Sequence, residues 1–227
     1  MLPELGGMLR YGIPNYRLPK DRLNDDINAI LETGVKVEFG KRIGTDMTIQ
    51  SLREEYDAVL ITIGASTDKK LGIEGEHSEG VLSAVQFLRD VGKNQNPDLT
   101  GQEVAVIGGG NVAMDAARSA MRLGAEHVYI VYRRSEKEMP ARLEEVHHAK
   151  EEGIEFHLLE NPVQILNDGN GQVCGIECLK MELGEPDASG RRSPIPIEGS
   201  NYVLDVDTVI MSLGTSPNPL IRSTTKG

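Results

Sequence analysis

The residues best suited to chemistry are Gly108, Gly109, Gly110, Asn111, Val112 and Ala113, which have the form G-x-G-x-x-A. At this spacing the first glycine permits a tight turn, Gly110 lets the backbone approach a pyrophosphate, and Ala113 is small enough for close packing of a helix on a strand. A helix opening at Asn111 turns unpaired N–H groups and a partial positive charge toward phosphate, so no charged side chain is required there. A bare match of this kind is weak, because glycine-rich turns are common. Its context strengthens it: the apolar run Val104-Ala-Val-Ile107 reads as a strand ending at the motif. Beyond it Val112, Ala113, Ala116, Ala117, Ala120 and Met121 give one side of a helix over 111–123, with Arg118 and Arg122 on another face. The alternative is an ordinary strand-to-helix turn of some other doubly wound fold.

One strand later the sequence reads Val131-Tyr132-Arg133-Arg134. Where a dinucleotide carries a free ribose 2′-hydroxyl, an acidic residue at this point accepts its hydrogen bonds. Two guanidinium groups instead suit a 2′-phosphate, which they grip through paired, charge-assisted hydrogen bonds worth roughly 1.5–3 kcal/mol each. The pattern predicts binding of NADP(H) in preference to NAD(H). A surface pair of arginines is the plain alternative.

Other candidates carry less. Lys137 and Arg142 add positive charge downstream, or belong to the solvated start of a helix. His147 and His148 are adjacent and lack the i, i+4 spacing that serves a metal. Glu144 and Glu145 read as one polar helix face, and Asp115, one turn into its helix, as a residue that caps the helix or helps orient the loop. Cys174 and Cys178 lie in an expected strand, where four residues span roughly 13 Å, beyond the ~7 Å reach of a disulfide.

The elements needed to position these residues follow from periodicity. Strand 103–107, helix 111–123 and strand 127–132 form a right-handed parallel crossover. Pro140 suits the first turn of a further helix capped by Gly153, and strand 154–159 extends the sheet. The pattern then changes to a hairpin, Val163–Leu166 and Val173–Leu183 about the turn Asp168-Gly-Asn-Gly171. A polar loop over 185–196, an antiparallel strand at 202–204 and a buried strand at 208–213 ending at Gly214 complete this part. Upstream, 6–20 reads as an ordered loop or linker, 21–34 as a helix, 35–39 as a short strand, 48–55 as a weak helix, 58–63 as a strand buried on both faces, and 83–91 as a helix.

The chain has 227 residues, a formal net charge of −11 and two cysteines. That acidity argues against a general nucleic-acid or anionic-membrane binder, so a polyanionic ligand must be held by a local basic cluster. The cysteine count suits a reducing compartment. With no basic, apolar leader at residues 1–7 and no run of ~18 apolar residues, the expectation is a cytoplasmic protein.

Four segments together, Gly6-Gly-Met-Leu-Arg-Tyr-Gly-Ile-Pro-Asn-Tyr-Arg-Leu-Pro-Lys20, Gly108-Gly-Gly-Asn-Val-Ala-Met-Asp115, Tyr132-Arg-Arg-Ser-Glu-Lys-Glu-Met-Pro-Ala141 and Leu213-Gly-Thr-Ser-Pro-Asn218, resemble the β (small) subunit of NADPH-dependent glutamate synthase and related FAD/NAD(P)-dependent oxidoreductases. These include the flavin half of dihydropyrimidine dehydrogenase and the NADPH-binding subunit of a ferredoxin:NADP oxidoreductase. The resemblance implies an α/β fold in which a Rossmann-like NADP-binding domain, a parallel sheet with an antiparallel meander, is inserted in a partial FAD-binding domain. The expected division is 1–80 for the partial FAD segment, 81–214 for the NADP(H) domain and 215–227 for a return segment. The resemblance further implies that Gly109 to Ala113, Arg133 and Arg134 contact NADP(H), that Ser212, Leu213 and Gly214 line the nicotinamide side, and that Gly6, Gly7, Arg17 and Val37 belong to an FAD site.

The family's earlier G-x-G-x-x-G turn for FAD and its C-terminal Gly-Gly-Asp segment are not found in these 227 residues, so the chain reads as a fragment that lacks both. The expectation is a parent enzyme, a glutamate synthase β subunit in the first instance, that passes hydride from NADPH to FAD and electrons on to iron–sulfur clusters beside a large synthase or iron–sulfur subunit. The fragment alone is expected to bind NADP(H), to lack FAD and turnover, and to use no catalytic side chain or metal, since the cofactors carry the chemistry. Two readings stand beside it: the NADPH-binding subunit of a ferredoxin:NADP oxidoreductase, and a non-catalytic nucleotide-binding or subunit-docking module.

Overall fold

The computed structural model describes residues 3–224, with the backbone alone at 221 and 222. The last three residues of the expected return segment, 225–227, lie outside the described residues. The chain divides into two units, one of residues 1–67 with 216–227 and one of 68–215. The first carries α1 (Gly7–Tyr11), α2 (Lys20–Leu31), α3 (Ile49–Glu55) and, after the chain returns, α7 (Leu220–Thr224). Where the chain passes between units lie the paired two-residue strands β1 (Thr67–Asp68) and β11 (Thr215–Ser216).

The second unit runs β2 (Val81–Ser83), α4 (Ala84–Gly92), β3 (Glu103–Ile107), α5 (Asn111–Arg122), β4 (His127–Tyr132), a single 3₁₀ turn at Glu136–Glu138, α6 (Leu143–Glu151) and β5 (Glu155–Leu158). It continues with β6 (Glu160–Asn167), β7 (Val173–Pro186), β8 (Arg192–Pro196), β9 (Tyr202–Leu204) and β10 (Thr208–Met211). The order β2-β10-β3-β4-β5 makes a five-stranded sheet, parallel throughout, and β6, β7, β8 and β9 form an antiparallel meander centred on β7. The result is the expected α/β architecture.

The period-2 alternation of strand side chains explains the layering. Val104 and Val106 of β3, Val128 and Ile130 of β4 and Ile210 of β10 point into a core shared with α4, α5 and α6. Their neighbours Ala105, Ile107, Val131, Val209 and Met211 point the other way, into a core shared with Ile165, Val173, Ile176 and Cys178 of the meander. The parallel strands are therefore buried on both faces, which is why they read as continuous apolar runs. Each fully buried side chain of this kind contributes roughly 1.5–3 kcal/mol.

Several elements differ from the expectations. Residues 35–39 and 58–63 form no strand. Leu60 is 87% exposed, and Val59, Ile61 and Ile63 are exposed too. An apolar run becomes a strand only when a neighbour completes its hydrogen bonds, and among the described residues none pairs with these. The loop expected at 6–20 contains α1, opened by Gly6 in the left-handed region at φ 111°. Pro140 does not start a helix: α6 begins at Leu143, after a cap at Arg142. The polar stretch 185–196 is largely sheet, since β7 runs on to Pro186 and pairs with β8. Residues 68–80, grouped above with the first segment, sit in the second unit, where the Ile165 N–H donates to the Glu74 carbonyl at 2.9 Å and the Val173 N–H to the Glu79 carbonyl at 2.9 Å.

Candidate functional site

A cleft of about 430 Å³ opens over the glycine turn, at the ends of β3, β4 and β10. In open parallel sheets ligands bind at such a place, outside the carboxyl ends of the strands. The Gly108 N–H donates to the Val131 carbonyl at 3.0 Å and the Ser212 N–H to the Ile107 carbonyl at 2.9 Å, so the turn is stitched to both neighbouring strands. Gly108 sits at φ 143°, and a Cβ there would lie 2.3 Å from the Ser212 carbonyl oxygen. Gly109 packs against the Tyr132 ring, which a Cβ would meet at 2.7 Å. Only glycine fits either position.

Gly110 caps α5 without a side-chain hydrogen bond and has open space where a Cβ would stand, the nearest atom being Pro140 Cγ at 3.9 Å. The first N–H groups of a helix have few acceptors within it; at the start of α5 the Ala113 N–H donates to the Gly110 carbonyl at 2.9 Å, while those of Asn111 and Val112 have no partner among the described residues. The segment after β4 folds over the turn: the Ala141 N–H donates to the Gly109 carbonyl at 3.1 Å, the Tyr132 hydroxyl to the Glu138 carbonyl at 2.9 Å, and the Arg142 N–H to Asn111 Oδ1 at 2.9 Å. Across the cleft the Ser212 hydroxyl is buried with no hydrogen-bond partner among the described residues. An orphaned donor of this kind costs roughly 1–3 kcal/mol unless something satisfies it.

The other wall is basic. Arg133 is exposed and has no ion-pair or hydrogen-bond partner among the described residues, whereas Arg134 is buried. Arg134 Nε donates to the Arg192 carbonyl at 2.7 Å and its Nη2 to Asp187 Oδ2 at 2.6 Å. Asp187 belongs to the turn between β7 and β8. Its carboxyl is held below the ordinary carboxylate range by hydrogen bonds from the Ser189 side chain and backbone first, with the Arg134 charge adding to the effect. With Lys69 and Arg191, the cleft is lined by four cations and, among the described residues, by no carboxylate, in a chain of net charge −11.

Ten of the eleven residues expected at the nucleotide come together here: Gly108, Gly109, Gly110, Asn111, Val112, Arg133, Arg134, Ser212, Leu213 and Gly214 all line the cleft. Ala113 does not; it is fully buried under α5, as close helix-on-sheet packing requires. Sequence reasoning missed Lys69, Asn161 and Arg191 as lining residues. The short spacing of Lys69 from the end of the apolar run was a faint signal, and Arg191 had none.

The remaining candidates disperse. Gly6, Gly7, Arg17 and Val37 lie in the first unit, Gly6 and Gly7 at the start of α1 and Val37 in an exposed stretch without regular structure. Lys137 lines a separate depression with Met139 and Leu143, and Arg142 enters the site only through its backbone. Glu145, read as part of a polar face, is buried and pairs with Arg118 at 3.0 Å; Arg118, itself 7% exposed, also reaches Glu152 at 2.8 Å. These two face each other between α5 and α6, which single-helix periodicity cannot reveal. Asp115 is buried one turn into α5. His147 and His148 are exposed, and no group of three metal-ligating residues occurs among the described residues. Cys174 is exposed and Cys178 buried, both as free thiols. Among the described residues no helix is long and apolar enough to cross a membrane.

A family model described as pyridine nucleotide-disulphide oxidoreductase matches residues 6–226. The chain is 46% identical over 215 residues to the β subunit of an NADP(+)-dependent formate dehydrogenase from Moorella thermoacetica, covering 94% of this chain and 30% of that protein. It is 36% identical over 226 residues to the small chain of the Escherichia coli NADPH glutamate synthase, covering 95% of this chain and 48% of that protein. The 227 residues thus span between about a third and a half of these relatives. Among solved structures, Mycobacterium tuberculosis FprA in complex with NADPH shares the fold, with a TM-score of 0.80, 22% identity, and coverage of 96% of this chain and 63% of that one.

Proposed function

Because the chain belongs to the pyridine nucleotide-disulphide oxidoreductase family, we propose that the cleft over Gly108 binds NADP(H). In this reading the protein of which these residues form part passes a hydride from NADPH to FAD and electrons on to iron–sulfur centres of a partner subunit. The observation that carries the reading is the cleft itself: a glycine turn and helix N-terminus on one side, an unpartnered Ser212 hydroxyl on another, and basic walls in an acidic chain. These groups fit a dinucleotide with an extra phosphate. The N–H groups opening α5 take the pyrophosphate, Arg133 takes the 2′-phosphate with Arg134 behind it, and the Ser212–Gly214 segment receives the nicotinamide end, where the buried hydroxyl gains a partner. When bound, the nicotinamide supplies the hydride; the protein's part is to bind, orient and exclude water.

FAD is assigned to the whole protein. Among its described residues the first unit, which carries Gly6, Gly7, Arg17 and Val37, shows no sheet strand ending in a glycine turn that could cradle a second dinucleotide. As to the acceptor, greater identity to a formate dehydrogenase β subunit than to a glutamate synthase small chain favours the reading in which the chain is the NADPH-binding part of another oxidoreductase assembly, such as a ferredoxin-linked one.

A thermal-shift measurement tests the binding assignment. A ligand that binds only the folded state raises the Tm in proportion to RT ln(1 + [L]/Kd). NADPH is expected to raise the Tm, and NADH at equal concentration to raise it less. No shift with NADPH overturns the reading. Bleaching of a bound flavin by NADPH in the full-length protein separates the reductase from a non-catalytic nucleotide-binding module, which leaves the flavin oxidised.

A further inference from the structure

The turn between β7 and β8 enters the cleft from more than fifty positions away in sequence from Arg134, and it is anchored at both ends. Asp187 Oδ2 accepts from Arg134 Nη2 at 2.6 Å, and the Arg192 carbonyl accepts from Arg134 Nε at 2.7 Å. Between these anchors stands Arg191, which lines the cleft and whose Nε donates to Ser189 Oγ at 3.0 Å. Asp187 closes the turn itself: its Oδ1 accepts from the Ser189 N–H at 2.8 Å, and its N–H donates to the Arg191 carbonyl at 2.7 Å. Arg191 is therefore presented on a short, internally bonded turn fastened to the same wall as Arg133 and Arg134, at the end of β4. The opposite wall, at the end of β10, carries Ser212 to Gly214.

We propose that Arg191 is a specificity residue for the ribose 2′-phosphate, completing with Arg133 a clamp whose spacing is set by the Asp187–Arg134 pair. The proposal rests on the NADP(H) reading of the cleft. Its physical basis is a division of labour among the three arginines. Arg134 has two of its donors committed to Asp187 and the Arg192 carbonyl, so it acts mainly as an anchor. Arg133 and Arg191 retain donors for a ligand, one from the parallel sheet and one from the meander. Two guanidinium forks reaching one phosphate from different elements discriminate by geometry as well as by charge.

The test is calorimetric titration of the 227-residue protein with 2′,5′-ADP and with 5′-AMP, which lacks the 2′-phosphate. R191A is expected to weaken 2′,5′-ADP by roughly tenfold and to leave 5′-AMP within about twofold, with R191K intermediate because a lysine keeps the charge and loses the fork. K93A serves as the charge control: Lys93 is exposed at the end of α4 and does not line the cleft, and its loss is expected to change neither ligand. Unchanged 2′,5′-ADP affinity in R191A, or an equal loss in K93A, overturns the proposal. If R133A loses 2′,5′-ADP while R191A does not, this inference alone fails. If the wild-type protein shows no preference for 2′,5′-ADP, the NADP(H) reading fails with it.

Discussion

The carbonyl oxygen of Ser212 stands 2.3 Å from the point where a side chain on Gly108 would begin. The end of β10 and the turn after β3 are thus locked together by the absence of a single carbon, and the cleft exists because they are.

Gly108→Ala is expected to cost stability as well as ligand. The Cβ meets backbone, not a flexible side-chain end, and φ 143° is strained for any L side chain. A loss of roughly 1–3 kcal/mol or more is expected, read as a fall in Tm. Gly110→Ala separates the two effects, since its Cβ has room and its φ is −97°. That variant should keep the wild-type Tm and bind dinucleotide more weakly, because the added methyl stands at the helix start the pyrophosphate would approach.

Ser212→Ala removes a buried hydroxyl that has no partner among the described residues. Removing an unsatisfied polar group is neutral or stabilising. The Tm of the free protein is expected to stay level or rise, and dinucleotide affinity to fall. A fall in Tm would show that the hydroxyl is satisfied within the fold.

Arg118 bridges α5 and α6 through Glu145 and Glu152. Arg118→Met leaves Glu145 buried without its cation, an expected loss of roughly 3–5 kcal/mol, much of it restored by adding Glu145→Gln. Equilibrium denaturation of the single and double variants checks this. The same cluster gives a pH dependence. Burial raises the Glu152 pKa, but hydrogen bonds from Arg122 and Arg118 outweigh it and hold the carboxyl below its ordinary 4.5. A depressed carboxylate contributes stability above that value and loses it as pH falls through the folded pKa. Wild-type stability should therefore drop more steeply below pH 4.5 than that of Glu152→Gln.

Cys178 is fully buried, and burial first, then the Glu160 carboxylate, pushes its thiol up to about 12. Thiolate is the reactive form, so it should resist alkylation. Iodoacetamide at pH 8 is expected to add one group to the native protein, at Cys174, and two after denaturation. Rapid double labelling without denaturant would contradict the packing of the meander on the sheet.

How much of this was legible in the sequence depends on how local each feature is. The glycine turn could be read because a φ of 143° and a helix start are demands on one or two residues. The parallel strands could be read because burial on both faces leaves continuous apolar runs. The same rule failed at 58–63, which is equally apolar but has no neighbour to bond among the described residues. Arg118 and Glu145 looked solvated because each helix read alone hides the partner packed against it. Arg191 was illegible for a related reason: its place in the cleft follows from the pairing of Leu183 with Pro194 and of Pro186 with Arg192, a register that only the folded meander specifies.

The central claim, that this cleft is built for the phosphorylated dinucleotide, is tested most directly by the ratio of dissociation constants for NADP⁺ and NAD⁺ measured by calorimetry on the wild-type protein and on Arg133→Ala. The account predicts NADP⁺ binding tighter by roughly tenfold or more in the wild type, with most of that preference lost in the variant and NAD⁺ nearly unchanged. Equal affinity for the two nucleotides in the wild-type protein, or no binding of NADP⁺, would contradict it.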